Sequence, residues 1–282
     1  VHLGAENVTN LQDLIPRHST IMPAVAIVRK PCPRSLKECL SMESTSGSID
    51  VTRALEQHEQ YVDALRRVCD KVIVLPEEMA YPDSVFVEDT CTVVGKKAVI
   101  HNLGAKSRKG EVTSIVPVLE SLGIALSYMK EPATADGGDV MCTPRHIFVG
   151  ISSRTNMEGF KFIQQVFSDH VVVPIKVQGG LHLKCVVTFI NPNTLVAAND
   201  ATALAMLDEF KKYKYDVVLL PDASAGNCVQ AGNHVLAPSI YPDSFKVYAQ
   251  VCHTASAQLV PIDISEFAKA DGSLTCLSIL LD

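Results

Sequence analysis

The sequence has no long basic run, no long apolar run and no closely paired cysteines, and each absence removes a class of protein. The formal charge is −6, from 25 basic and 31 acidic residues. With no cluster of lysine and arginine, a nucleic-acid or anionic-membrane partner is disfavoured. Apolar stretches such as 171–173 stop within a few residues, here at Pro174, far short of a bilayer-spanning helix. No charged-plus-apolar signal segment opens the sequence as given. The nine cysteines, at 32, 39, 69, 91, 142, 185, 228, 252 and 276, include no CxxC, so zinc-finger spacing is absent. A disulfide framework is not expected in a chain of 282 residues, and most thiols are expected to be small buried hydrophobes in a reducing, cytoplasmic setting. The glycosylation triplet Asn7-Val8-Thr9 is the one counter-signal. Neither the odd cysteine count nor any apolar repeat face decides between a monomer and a weak homodimer.

What is present is a globular balance of 47% hydrophobic and 20% charged residues, which supplies a core and excludes collagenous and disordered chains. Short β-like runs alternate with longer helical ones. Paired runs at 85–94 and 97–101, 140–142 and 146–151, 184–190 and 194–198, and 227–230 and 234–237 each enclose a turn and read as hairpins. Helical runs are expected at 51–69 after an Asp50 cap, 111–122 with a kink at Pro117, 157–167 after Asn156, 200–213 after Asn199, and from Pro242 to about 257.

Asp89, Asp139, Cys185, Cys228 and Cys276 mark the starts of successive first strands, at spacings of 50, 46, 43 and 48 residues. That is the period of a propeller or repeat array. The runs at 24–29 and 274–281 each hold one strand where the others hold two. Pairing these two closes five ββα units into a ring and removes exposed sheet edges. The expected fold is α/β, a five-bladed pseudo-symmetric α/β propeller made by a single domain over 1–282, with an open α/β sheet as the alternative.

In such a ring the starts of the first strands converge on one axis. The sequence places there Asp83, Glu88 and Asp89, then Asp136-Gly137-Gly138-Asp139, Gly179-Gly180-Leu181-His182, Gly226-Asn227-Cys228 and Asp271-Gly272-Ser273-Leu274-Thr275-Cys276. Cys276 with His182 and an acid such as Asp136 is an arrangement for nucleophilic catalysis. The imidazole deprotonates the thiol or stabilises its thiolate, and later protonates the leaving group, and the acid orients the imidazole. Asp83, Glu88 and Asp89, on a β-run, form an acceptor fork for a planar guanidinium. Asp89 follows apolar Val85, Phe86 and Val87, so it enters a buried strand where a carboxylate needs a cationic partner. Arg108, in a mobile basic loop, and Arg154, before a helix cap, are available to a ligand carboxylate, and each read alone is a surface charge. Lys211, Lys212 and Lys214 close a helix, where cations suit the dipole. Residues 35–48 read as a loop and a candidate lid.

The strings 82–89, 136–140, 153–156, 180–184, 225–228 and 271–276 together resemble the dimethylarginine dimethylaminohydrolase family of the guanidine-modifying pentein superfamily, over nearly the whole length. The resemblance implies the pentein ring and hydrolysis of Nω,Nω-dimethyl-L-arginine or its monomethyl analogue to citrulline plus the methylamine, through a covalent cysteine thiouronium. It also implies control over inhibitors of nitric oxide synthesis. Position by position, it implies Cys276 as nucleophile, His182 as general acid/base and Asp136 as the orienting acid. Asp83, Glu88 and Asp89 become contacts to the substrate head, and Arg108 and Arg154 clamps on its α-carboxylate. Leu40 and Ala270, with Asp271, fall where the family contacts substrate. No cofactor or metal is required, although Cys276 and His182 are a pair that zinc can bind as an inhibitor. Lys184 stands where arginine deiminases, similar in fold, tend to carry an aspartate. A dimethylated nitrogen has no hydrogen to donate, so an unpaired carboxylate beside it is penalised, and dimethylarginine is expected over arginine. Leu277 stands where some members carry a second cysteine. The alternatives are an arginine deiminase-like enzyme and a non-catalytic pentein binding protein, as among ribosome-binding initiation factors. The latter has no need of Cys276, His182 and Asp136 on three blades.

Overall fold

In the computed structural model, which describes residues 25–39, 48–178 and 180–281, the first strand, β1 (Val25–Arg29), is buried at four of its five positions. A strand so buried needs neighbours on both edges. After helix α1 (Val51–Val68), β2 (Lys71–Leu75) pairs with it in parallel, and the final strand of the chain, Ile279–Leu281, pairs antiparallel on the other edge. This is the closure expected from the two single-strand units.

The other four blades repeat one plan. Strands β3 (Cys91–Val94) and β4 (Lys97–Ile100) form a hairpin, α2 (Val116–Ser121) follows, and β5 (Ala125–Tyr128) adds in parallel. The same order holds for β6 (Val140–Cys142), β7 (Ile147–Ile151), α3 (Met157–Val166) and β8 (Val172–Lys176). It recurs in β9 (Val187–Asn191), β10 (Thr194–Ala198), α4 (Ala201–Lys212) and β11 (Asp216–Leu220). The last blade is β12 (Val229–Ala231), β13 (His234–Pro238), α5 (Pro242–Thr254) and β14 (Gln258–Ile262), before the short α6 (Ser265–Ala268) and the closing strand β15 (Ile279–Leu281). The repeat is therefore ββαβ rather than ββα. Outer strands such as β5 and β11 carry few fully buried positions, so no strict hydrophobic alternation marks them. Pro174 and Pro261 are accommodated because β8 and β14 are sheet edges.

Local chemistry sets most helix starts. Asp50 accepts the Arg53 N–H at 3.2 Å, and Asn156 accepts that of Gly159 at 2.8 Å. Asp200, not Asn199, caps α4, accepting the Ala203 N–H at 2.8 Å. The expected helix at 111–122 is instead a 3-10 run, Lys106–Ser114, followed by α2 with Pro117 in its first turn, where proline is compatible with a helix. The β-run expected at 85–94 begins only at Cys91. Pro82–Val85 and Val87–Thr90 are 3-10 turns, so Asp83, Glu88 and Asp89 sit on turns at the axis and not on a strand.

Buried hydrogen bonds join each blade to the next around that axis. Glu88 Oε2 accepts the Thr275 hydroxyl at 2.8 Å, Asp89 Oδ1 accepts the Gly138 N–H at 2.9 Å and Asp139 Oδ1 that of Leu183 at 2.9 Å. Thr188 Oγ1 accepts the Cys228 N–H at 3.1 Å, and Asn227 Oδ1 accepts that of Thr275 at 3.0 Å. Bonds to a charged acceptor each contribute about 1.5–3 kcal/mol, and they set blade against blade.

Buried imidazoles make this ring sensitive to acid. His101 Nδ1 lies 2.9 Å from the Asp89 carbonyl oxygen and Nε2 3.1 Å from Thr92 Oγ1. A carbonyl only accepts, so Nδ1 carries the proton and Nε2 accepts the hydroxyl of Thr92. Burial pushes His101 down to about 4, and His58 on α1 likewise to about 4. Above the ordinary value of 6.5 both rings are neutral in folded and unfolded chain. Below it only the unfolded chain takes up protons, so stability falls as pH drops from about 6.5 towards about 4. The urea midpoint is expected to decline across that window, and less steeply in His58→Gln; an identical slope in the variant contradicts the assignment.

Candidate active site

Cys276 lies on the turn into β15, buried, with Sγ 3.4 Å from the Ser273 N–H. Upstream, Asp271 holds φ at +54°, a left-handed conformation that aspartate tolerates better than most side chains. The segment thereby puts Ala270, Asp271, Gly272 and Cys276 on the wall of one pocket.

Across the axis, His182 precedes the turn into β9. Its Nε2 is 3.1 Å from Oδ2 of Asp136, a carboxylate without exposed surface. Asp136 Oδ1 accepts the Gly104 N–H at 2.8 Å, and Arg154 Nη1 is 3.9 Å from Oδ2. A carboxylate there requires the Nε2–H tautomer or the imidazolium. The two glycines after Asp136 are required by packing. A Cβ on Gly137 would lie 2.0 Å from the Glu88 carbonyl oxygen, and one on Gly138 would lie 2.5 Å from His182 Nδ1. Asp139 ends the string, accepting the Ser152 hydroxyl at 2.6 Å as well as the Leu183 N–H.

The charges follow from these neighbours. Burial opposes a proton on His182, but Asp89, Asp136 and Asp139 outweigh it and hold the ring well above its ordinary value. Burial, with Glu88 and Asp89 adding to it, pushes the Cys276 thiol well up, and the Ser273 N–H offsets little of this. Burial also opposes the charge on Asp89, yet Arg108, His182 and the Gly138 N–H hold that carboxyl below the usual carboxylate range. At neutral pH these neighbours favour an imidazolium and a neutral thiol.

Eight of the positions singled out in the sequence line this pocket: Asp83, Asp89, Arg108, Arg154, His182, Ala270, Asp271 and Cys276, together with Phe86, Leu181 and Gly272. Asp136 stands behind His182. Glu88 lies outside the pocket lining, its Oε1 2.5 Å from Lys184 Nζ and its Oε2 bonded to Thr275. Leu40 falls outside the described residues, as does most of the expected lid at 35–48. Arg108 is neither mobile nor a surface charge. It is 6% exposed, donating through Nη1 to Asp89 Oδ2 at 2.6 Å and through Nε and Nη2 to Glu111 at 2.9 and 2.8 Å. Residues that went unmarked in the sequence are Glu111 and the supporting role of Asp139. The available signal for Glu111 was its spacing of three from Arg108, since residues at i and i+3 eclipse in a 3-10 turn.

Among the described residues, Asp89, Asp136 and His182 bring donor atoms within 4.8 Å of one another. This three-donor group contains His182 but not Cys276, unlike the expected zinc pair. All nine cysteines are free, and no helix among the described residues is long and apolar enough to cross a membrane.

A ring of five blades with a thiol, an imidazole and buried carboxylates at its axis is the architecture of the pentein enzymes, and comparisons with known proteins agree. The family model described as N,N dimethylarginine dimethylhydrolase, eukaryotic, matches residues 39–279. The N(G),N(G)-dimethylarginine dimethylaminohydrolase of Pseudomonas aeruginosa is 30% identical over 258 residues, covering 90% of this chain and 97% of that protein. The protein of the same name from Streptomyces coelicolor is 33% identical over 259 residues, covering 91% and 96%. A cysteine-to-serine mutant of the Pseudomonas aeruginosa enzyme, solved with citrulline, superposes with a TM-score of 0.84 at 30% identity, covering 92% of this chain and 100% of that one. The N-terminal domain of a cyanobacterial arginine dihydrolase, 16% identical with a TM-score of 0.77 over 91% and 97% of the chains, shares the fold. This chain belongs to the dimethylarginine dimethylaminohydrolase family.

The protonation state has a direct consequence. A neutral thiol is a poor nucleophile, so iodoacetamide is expected to label Cys276 of the empty protein slowly at neutral pH. The rate should climb with pH beyond the ordinary thiol range near 8.5. Labelling at pH 7 as fast as at pH 10, followed by peptide mass spectrometry, contradicts this.

Proposed function

We propose that this protein hydrolyses Nω,Nω-dimethyl-L-arginine, and Nω-monomethyl-L-arginine, to L-citrulline and dimethylamine or methylamine, and so removes inhibitors of nitric oxide synthesis. The observation that carries this reading is the pocket shared by Cys276, the carboxylate Asp89 and a protonated His182 backed by Asp136. Asp83 and Asp89 accept the N–H groups of the substrate guanidinium, and Arg108 and Arg154 face its α-carboxylate.

The arriving guanidinium offsets the carboxylates that keep Cys276 neutral, and the thiol proton departs to solvent. Sγ then attacks the guanidinium carbon, forming a C–S bond and a tetrahedral adduct. His182 gives its proton to the dimethylated nitrogen, the C–N bond breaks and dimethylamine leaves, with a cationic S-alkylthiouronium remaining on Cys276. Neutral His182 takes a proton from water, the hydroxide adds to the same carbon, and the C–S bond breaks. Citrulline forms on loss of the hydroxyl proton, and the thiolate is regenerated. Asp136 holds the ring through Nε2 throughout.

Preference for a methylated head is supported by Glu88. Lys184 and Thr275 take both of its oxygens, so it does not stand as an unpaired acceptor beside a nitrogen without hydrogens. The reading requires no resident metal or cofactor. Zinc at Asp89, Asp136 and His182 would compete with the proton of His182 and inhibit. Nine free thiols fit a reducing cytoplasm, with a small molecule as the only required partner and one catalytic ring as the working unit.

Citrulline release measured with dimethylarginine and with arginine tests this reading. Release from dimethylarginine, abolished in Cys276→Ser and at least about tenfold weaker with arginine, is expected. Release mainly from arginine identifies a deiminase, and release from neither points to a binding protein.

A further inference from the structure

Glu111 is 2% exposed and lies outside the pocket lining, yet it grips a residue that lines the pocket. Its Oε1 accepts from Arg108 Nε at 2.9 Å and its Oε2 from Nη2 at 2.8 Å. The same Nη2 also reaches the Phe86 carbonyl at 3.2 Å. These bonds consume the Nε/Nη2 edge of the guanidinium and leave Nη1 as the end directed at Asp89 Oδ2, at 2.6 Å. A side-on pair of this kind fixes the plane of the guanidinium as well as its position.

Glu111 is itself anchored. Ser114 donates its hydroxyl to the Glu111 carbonyl at 3.2 Å, and Arg29 of β1 donates to the same Ser114 oxygen and, at 3.0 Å, to the Pro76 carbonyl. A continuous path of hydrogen bonds thus runs from the first blade through Glu111 and Arg108 to Asp89 at the axis. Burial pushes the Glu111 carboxyl up to about 7 although Arg108 opposes this, so its hold on Arg108 rests on the distances and direction of the side-on contact.

We propose that Glu111 is a positioning residue for substrate binding: it holds Arg108 edge-on so that only Nη1 is offered to the pocket. This rests on the hydrolase reading above. A double-mutant cycle on dimethylarginine hydrolysis tests it, using wild type, E111Q, R108K and E111Q/R108K. In the wild-type background E111Q should raise KM about tenfold with kcat held within about threefold. In the R108K background, where the lysine has no Nε/Nη2 edge to grip, it should raise KM less than about twofold. The same factor in both backgrounds, or a fall in kcat at unchanged KM, overturns the proposal. Should E111Q fail to fold, E111D, which keeps the carboxyl but shortens the reach, is expected to raise KM, and an unchanged KM overturns it. If wild type releases no citrulline, the hydrolase reading has failed. The cycle is then read from Kd values for dimethylarginine by calorimetry, where the same ratios are required.

Discussion

A buried polar side chain near the start of one blade, accepting a backbone N–H from the next, is the interaction on which the molecule depends. Asp89 does this for Gly138, Asp139 for Leu183 and Asn227 for Thr275. Each is buried, so an acceptor without its donor would cost several kcal/mol. The blades are thereby held in one register. Asp89 also lines the pocket, so closing the ring and building the site share a side chain.

The acids doing this also set the charges. Asp89 and Asp139, with Asp136, keep His182 protonated against its burial, and Asp89 with Glu88 keeps Cys276 neutral. The site is consequently armed with an acid and not with a nucleophile. A cationic substrate supplies what is missing, because its charge neutralises the carboxylates that hold the thiol proton. Glu88 shows how narrowly this is tuned. The ammonium of Lys184 and the hydroxyl of Thr275, the residue before the nucleophile, occupy both oxygens, turning an isolated buried charge into a satisfied pair.

Much of this was legible in the sequence, for identifiable reasons. Ring closure could be inferred because the runs at 24–29 and 274–281 each had one strand where their neighbours had two, and the structure pairs them. Asp50 and Asn156 were readable as caps because capping is local chemistry. The outer strands β2, β5, β8, β11 and β14 were not, since half-exposed edge strands show little alternation and tolerate Pro174 and Pro261. The segment 82–90 misled because Val85, Phe86 and Val87 imitate a strand, whereas their burial comes from the turns that pack around the axis. Arg108 misled in the opposite sense: its basic neighbours Lys106 and Lys109 suggested a solvated loop, and the partners that bury it, Asp89 and Glu111, are set by tertiary structure.

The central claim is that one set of buried acids both closes the ring and fixes the proton inventory of the site. Asp139→Asn separates the two duties, because asparagine keeps the size and can still accept the Leu183 N–H while giving up the charge that helps hold His182 protonated. The direct measurement is the pH profile of kcat for citrulline release in wild type and Asp139→Asn, with folding checked by circular dichroism. The account predicts a folded variant whose high-pH limb, set by loss of the His182 proton, moves to lower pH. A folded variant with an unmoved limb would contradict it.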